Sequence, residues 1–107
     1  MLIHRVHPIV EHHRAELVEL CRRFHVNRLV LFGSAARDDF NPDLSDVDLI
    51  VEFKDPFRPG YADRYLDFAL AAEKLLGRPV DLITPRSIVY PFFAEKLRRD
   101  EVELYAA

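Results

Sequence analysis

Two aspartates separated by one residue form the clearest candidate for chemistry in this chain. Asp46 and Asp48 flank Val47 at the start of an alternating apolar run. On an extended strand, residues i and i+2 point to the same side, roughly 6.5–7 Å apart. Two carboxylates at that spacing repel each other, and a divalent cation between them makes the arrangement favourable. The alternative is a pair of solvated aspartates on the open face of a sheet, although Asp is depleted in strands.

A glycine–serine pair could supply a phosphate-binding turn. Gly33-Ser34 follows the apolar run 28–32. Glycine lets the backbone approach a phosphate closely, and the free N–H groups of a helical turn, together with the Ser34 hydroxyl, can bind an anion. The alternative is an ordinary turn from strand to helix in which Ser34 is the N-cap.

A third aspartate, Asp81, lies within the apolar run 79–83. A lone charge there is costly unless it is paired or bound to a metal. If its strand neighbours the strand that carries Asp46 and Asp48, three carboxylates could hold two metal ions for phosphoryl transfer. The alternatives are a surface aspartate near a strand end and a salt bridge to a nearby arginine.

Hydrophobic periodicity predicts the elements that would position these residues. Helices are predicted over 9–25, 62–76 and 91–99, with Gly77 as a left-handed cap and Pro79 preventing continuation of the second helix. Strands are predicted over 28–32, 47–53, 80–84 and 102–105, the last as an edge strand, and a short helical turn is expected after Gly33. This order predicts an α/β (α+β) fold, with a small mixed β-sheet and helices mainly on one face.

Length and charge restrict the possible functions. The 107 residues suit a single domain over 1–107, and the net charge of −3 argues against broad nucleic-acid binding. The sequence shows no apolar run of membrane-spanning length and no signal peptide, so a cytoplasmic protein with no membrane association is expected. Cys21 lies on the apolar stripe of the first helix and is interpreted as a core thiol.

The histidines and one apolar segment receive simpler interpretations. The five histidines lack zinc-ligand spacing and are interpreted as surface residues: His4, His7, His12, His13 and His25. The apolar connection 88–93 is expected to cover the core, and any exposed part of it could dock a partner.

The combination of these motifs resembles a known superfamily. The segments LFGSAAR (31–37) and SDVDLIV (45–51) resemble the signature of the polymerase-β-like nucleotidyltransferases, and GRPVDL (77–82) resembles the segment that carries their third carboxylate. The resemblance runs from about residue 10 to the C-terminus and favours the minimal nucleotidyltransferase branch, the MntA-type antitoxins. Two departures are Asp38, where the family often has Gly, and a loop before Asp46 that is about one residue longer than usual.

The resemblance implies roles for individual residues. It implies that Asp46, Asp48 and Asp81 are metal ligands, and that Asp81 also helps to deprotonate the attacking hydroxyl. Gly33 and Ser34 would hold the triphosphate of ATP with assistance from Arg37, and Mg²⁺, expected as two ions, would be the cofactor.

The resemblance also implies an activity and a partner. Members of the minimal branch pair with a HEPN-type toxin, a ribonuclease, and silence it by transferring AMP from ATP to a tyrosine. Two alternatives remain open from the sequence: transfer of a nucleotide to a small molecule or an RNA end, and a non-catalytic antitoxin that neutralises its partner by binding alone. The acceptor, the nucleotide preference and the oligomeric state do not follow from the sequence.

Overall fold

The computed structural model describes residues 6–36, 46–85 and 101–107. Their helices are α1 (Pro8–Glu11), α2 (Arg14–Arg23) and α3 (Tyr61–Leu76). Their strands are β1 (Val26–Phe32), β2 (Val47–Phe53), β3 (Val80–Ile83) and β4 (Val102–Ala106), and a single 3₁₀ turn spans Gly33–Ala35 after β1. No helix in these three ranges is long and apolar enough to cross a membrane.

The four strands form one mixed sheet in the order β3-β2-β1-β4. β1 pairs antiparallel with β2 and with β4, whereas β2 and β3 are parallel. A parallel pair requires a crossover connection, and α3 supplies it between β2 and β3. β4 lies at one edge of the sheet, as predicted, and the α+β architecture with a mixed sheet is confirmed.

Successive side chains along each strand point to opposite faces of the sheet, so the two faces carry different residues. One face packs against the helices in a single core, to which the helices contribute Val10, Leu17, Leu20, Cys21, Phe68 and Leu76 and the strands contribute Leu29, Leu31, Val47, Leu49, Val51, Phe53 and Leu82. On the opposite face, Val30, Phe32, Ile50 and the partly buried Ile83 form a small separate cluster. The described helices therefore cover one face of the sheet, in agreement with the sequence prediction.

The predicted first helix over 9–25 is wrong as a continuous element. It is divided into α1 and α2 by a turn at His12–His13. His13 has φ −109° and ψ 13°, outside the helical region. Neither Pro nor Gly lies at this point, so the sequence has no strong breaker signal there. The separate α1 still buries Val10 completely.

The third helix begins and ends close to its predicted limits. α3 starts at Tyr61 and ends at Leu76, and Gly77 adopts φ 67° with its N–H bonded to the Glu73 carbonyl at 2.8 Å. That left-handed cap is the one expected from the Gly77-Arg78-Pro79 sequence. The predicted helix over 91–99 and the apolar connection 88–93 lie outside the described residues.

Candidate active site

Asp48 and Asp81 are direct neighbours in the sheet. In the parallel pairing of β2 with β3, the Cα atoms of these two residues are register partners, and Asp48 is also the partner of Phe32 on β1. Register partners point to the same face of a sheet, and adjacent strands lie about 4.8 Å apart. The two carboxylates therefore project from the face opposite the helices. Asp48 is half-buried and Asp81 is exposed.

Gly33 lies against the Asp48 carboxylate. It has φ +71°, a conformation that favours glycine, and a Cβ atom added there would lie 3.0 Å from Asp48 Cγ and closer still to Oδ2. The turn that follows has an Ala36 N–H bonded to the Gly33 carbonyl at 3.1 Å, and the His7 N–H donates to the Ala35 carbonyl at 3.0 Å. The backbone of this turn is thus connected to the segment before α1 and packed directly on the aspartate.

The structure describes the other predicted site residues only in part. Asp46 is exposed and lies one residue before β2, so strand pairing does not determine its orientation as it does for Asp48. The backbone of Ser34 lies in the 3₁₀ turn. Arg37, Asp38 and the loop up to Ser45 lie outside the described residues. The structure therefore brings together Gly33, Asp48 and Asp81.

β3, which carries Asp81, is hydrogen-bonded to β2 along one edge and to side chains of α3 along the other. The Val47 N–H donates to the Pro79 carbonyl at 3.1 Å, which extends the pairing of β2 with β3. On α3, the Tyr65 hydroxyl donates to the Leu82 carbonyl, and Glu73 Oε1 accepts the Val80 N–H at 3.4 Å. Burial, and secondarily the nearby charge of Asp81, raise the pKa of Tyr65. Helical periodicity over 62–76 places Tyr65 on the apolar face of its helix, and its hydroxyl on that face is the sequence feature that could have indicated this bond.

The donor set suits a hard cation such as Mg²⁺. Asp48 and Asp81 supply carboxylate oxygens from adjacent positions, where their like charges repel unless a cation compensates them. Within the described ranges, no group of three or more His, Cys, Asp or Glu side chains is arranged to hold a metal ion. Mg²⁺ is usually bound through one or two carboxylates plus substrate phosphates and water, so a complete protein cage is not required. The arrangement fits a metal–nucleotide complex.

The remaining titratable candidates lie elsewhere. Cys21 is fully buried, and burial raises its pKa to about 12, which agrees with its interpretation as a core thiol. His7 Nδ1 accepts the Ile9 N–H at 3.2 Å at the start of α1, and His13 contacts Glu16 at 3.4 Å. These two histidines contribute to local helix contacts.

Comparison with known proteins agrees with this geometry. The nucleotidyltransferase domain family matches residues 15–104. A candidate protein adenylyltransferase of Methanocaldococcus jannaschii is 37% identical over 78 residues, which cover 73% of this chain and 76% of that protein. The structure of a candidate minimal nucleotidyltransferase superposes with a TM-score of 0.71 at 32% identity, over 87% of this chain and 90% of the other.

A more distant structural match shares the fold. A chain from the complex of a tri-AMPylated Shewanella oneidensis HEPN toxin with MNT antitoxin has a TM-score of 0.62 at 19% identity, over 91% of this chain and 72% of that one. The match of the family over most of the sequence, together with paired aspartates beside a glycine turn, shows that this chain belongs to the nucleotidyltransferase domain family and is a nucleotidyltransferase.

Proposed function

We propose that this protein is a Mg²⁺-dependent protein adenylyltransferase that transfers AMP from ATP to a tyrosine of a HEPN-type toxin and thereby acts as an antitoxin. Support comes from the relative named as a candidate protein adenylyltransferase and from the fold shared with a chain of an AMPylated toxin–antitoxin complex. The fold alone does not specify an acceptor, so the acceptor must be tested directly.

The observation that carries the proposal is the register of Asp48 with Asp81, with Gly33 packed on Asp48. A protein that only binds its partner has no need for two neighbouring carboxylates beside a glycine turn that leaves no room for a side chain. Two carboxylates that point to the same face from adjacent positions repel each other, and a bound cation relieves that repulsion.

Each site residue has a defined task in the proposed reaction. Asp46, Asp48 and Asp81 would hold Mg²⁺, which when bound neutralises charge on the triphosphate. Gly33 and Ser34 would contact the triphosphate through the turn backbone, and Arg37 would add positive charge. The turn can approach a phosphate closely because Gly33 has no side chain.

The chemical step is a nucleotidyl transfer. The tyrosine oxygen attacks the α-phosphorus of ATP, the bond from that phosphorus to the oxygen bridging the β-phosphate breaks, and pyrophosphate leaves. The tyrosine proton passes to the carboxylate of Asp81. A docked partner would supply the in-line orientation of its hydroxyl, which is a large part of the rate enhancement in such transfers.

The test uses intact-mass spectrometry of a cognate HEPN-type toxin incubated with this protein, ATP and Mg²⁺. We expect the wild type to add the mass of AMP to a toxin tyrosine and to inhibit the toxin. Asp48→Asn and Asp81→Asn should add none. The matched control is Asp67→Asn, the same substitution at an exposed position on α3, and it should behave as the wild type.

Two outcomes would contradict the proposal in different ways. Equal inhibition of the toxin by the wild type and Asp48→Asn, with no increase in mass, would show neutralisation by binding alone. An unmodified and active toxin, accompanied by AMP transfer to an RNA end or a small molecule, would keep the chemistry and refute the proposed acceptor.

A further inference from the structure

β3 is a short edge strand whose position determines where Asp81 lies. It has four residues and pairs, within the described residues, with β2 alone. An edge strand leaves the N–H and C=O groups on its outer side without ladder partners. Asp81 is the second residue of this strand, so any displacement of β3 moves its carboxylate relative to Asp48.

Two side chains of α3 bind the backbone of β3 on either side of Asp81. Glu73 accepts the N–H of Val80, and Tyr65 donates its hydroxyl to the carbonyl of Leu82. Backbone groups of residues two apart point to the same edge of a strand. Both bonds are therefore made along one edge, and they bracket the aspartate.

The side chain of Tyr65 is well held for making this hydrogen bond. Its ring packs against the main core, so the hydroxyl is delivered from an immobilised side chain. A tyrosine hydroxyl has a pKa of about 10 in water, so it stays protonated and can donate this bond at neutral pH.

We propose that Tyr65 is a positioning residue for Asp81: through its hydrogen bond to the Leu82 carbonyl, it holds β3 in the register that places Asp81 beside Asp48. This inference rests on the proposed role of Asp81 as a metal ligand. A displacement of about 1 Å at a catalytic group can cost about 100-fold in rate, so one bond to the strand backbone is sufficient to matter.

The test is a calorimetric titration of Mn²⁺ in the presence of a non-hydrolysable ATP analogue. Tyr65→Phe keeps the ring and removes the donor, and we expect Mn²⁺ binding about tenfold weaker, at the lower end of the range for partners that orient metal ligands. Tyr61→Phe is the matched control. Tyr61 is also on α3, and its ring contact with Phe53, with centroids 5.5 Å apart, is retained in phenylalanine. Amide hydrogen exchange over Val80–Ile83 should be faster in Tyr65→Phe than in Tyr61→Phe.

Two further variants separate this inference from the proposed function. If Tyr65 acts through Asp81, Tyr65→Phe will add no further loss of Mn²⁺ affinity to Asp81→Asn. The positioning role would be overturned by an additive loss of Mn²⁺ affinity in the double variant, or by equal Mn²⁺ affinity of Tyr65→Phe and Tyr61→Phe. In either case, weaker Mn²⁺ binding by Asp81→Asn would still support the metal site. If Asp81→Asn binds Mn²⁺ as tightly as the wild type, the proposed metal site is wrong, and the inference fails with it.

Discussion

Two glycines with nearly the same positive φ angle provide an internal test of the site. Gly33 has φ +71° and Gly77 has φ +67°, so alanine is strained at both. A Cβ at Gly77 would have no neighbour within 4 Å, whereas a Cβ at Gly33 would overlap the Asp48 carboxylate. Gly77→Ala therefore measures the backbone cost alone, and Gly33→Ala measures that cost plus the steric conflict at the site.

The expected costs follow from these two terms. A left-handed conformation costs a residue with a side chain about 1–2 kcal/mol, which is the expected loss of unfolding free energy for Gly77→Ala. The atom that a Cβ at Gly33 would meet is the end of the Asp48 side chain, so the conflict should add about 1 kcal/mol, the low end of the overpacking range, and Gly33→Ala should lose about 2–3 kcal/mol. Asp48 can relieve the conflict only by turning its carboxylate away, and Gly33→Ala should therefore also abolish stabilisation by Mg²⁺–ATP.

Urea unfolding followed by circular dichroism measures both losses, with and without Mg²⁺–ATP. In an Asp48→Ala background, the cost of Gly33→Ala should fall to that of Gly77→Ala, because the overlapping carboxylate is gone. Equal costs for the two glycine substitutions in the wild-type background would refute the close packing of Gly33 on Asp48. The same conclusion would follow if Gly33→Ala retained full stabilisation by Mg²⁺–ATP.

Three further predictions concern ligand binding, the core and the buried thiol. ATP with Mg²⁺ at about 100 times its Kd should stabilise the wild type by roughly 2.7 kcal/mol in thermal melts, and Asp48→Asn should reduce this; indifference of the wild type to every nucleoside triphosphate would count against the site. Phe68→Ala should lose about 3–5 kcal/mol in urea unfolding, because Phe68 is fully buried and contacts the rings of Phe24 and Phe53; a loss below about 1 kcal/mol would contradict this packing. Because burial raises the pKa of Cys21 to about 12, Ellman's reagent at pH 8 should react with it only after unfolding. With respect to this thiol, the fold keeps its full stability below the thiol's ordinary pKa and loses stability as the pH rises toward 12, because the unfolded chain ionises first; rapid labelling of the native protein at pH 8 would disprove the burial.

Strands and the central helix could be predicted because their sequences carry strong local signals. The alternation over 47–53 matches β2 residue for residue, and Gly77 with Pro79 marks the end of α3. β1 begins at Val26, two residues before the predicted start, because pairing with β2 extends it past a register shift between Val26 and Arg28. The turn at His12–His13 was missed, since helical periodicity continues across it.

The candidate site was predictable in its residue types but not in its contacts. Asp48 and Asp81 can be identified from the sequence as candidate site residues, because a charged side chain within an apolar strand is unfavourable unless it is paired or bound to a metal. Their register is a long-range pairing, which local patterns do not encode. The same limitation hid the contact between Gly33 and Asp48 and the bond from Tyr65 to Leu82.

The position of the site depends on the packing of α3, because this helix is the central part of the crossover between β2 and β3. It buries Phe68, Ala72 and Leu76 against the sheet, and Tyr65, which lies on the packed side of the same helix, carries the hydroxyl that binds β3. Packing of α3 on one face of the sheet therefore helps to hold β3 in place, and with it the carboxylate that β3 presents on the other face. Conservative core substitutions that shift α3 without unfolding it should consequently weaken Mn²⁺ binding, although they touch no metal ligand. Substitutions on the side of α2 that contacts β1 and β4, away from its contact with α3, should change stability with less effect on that binding.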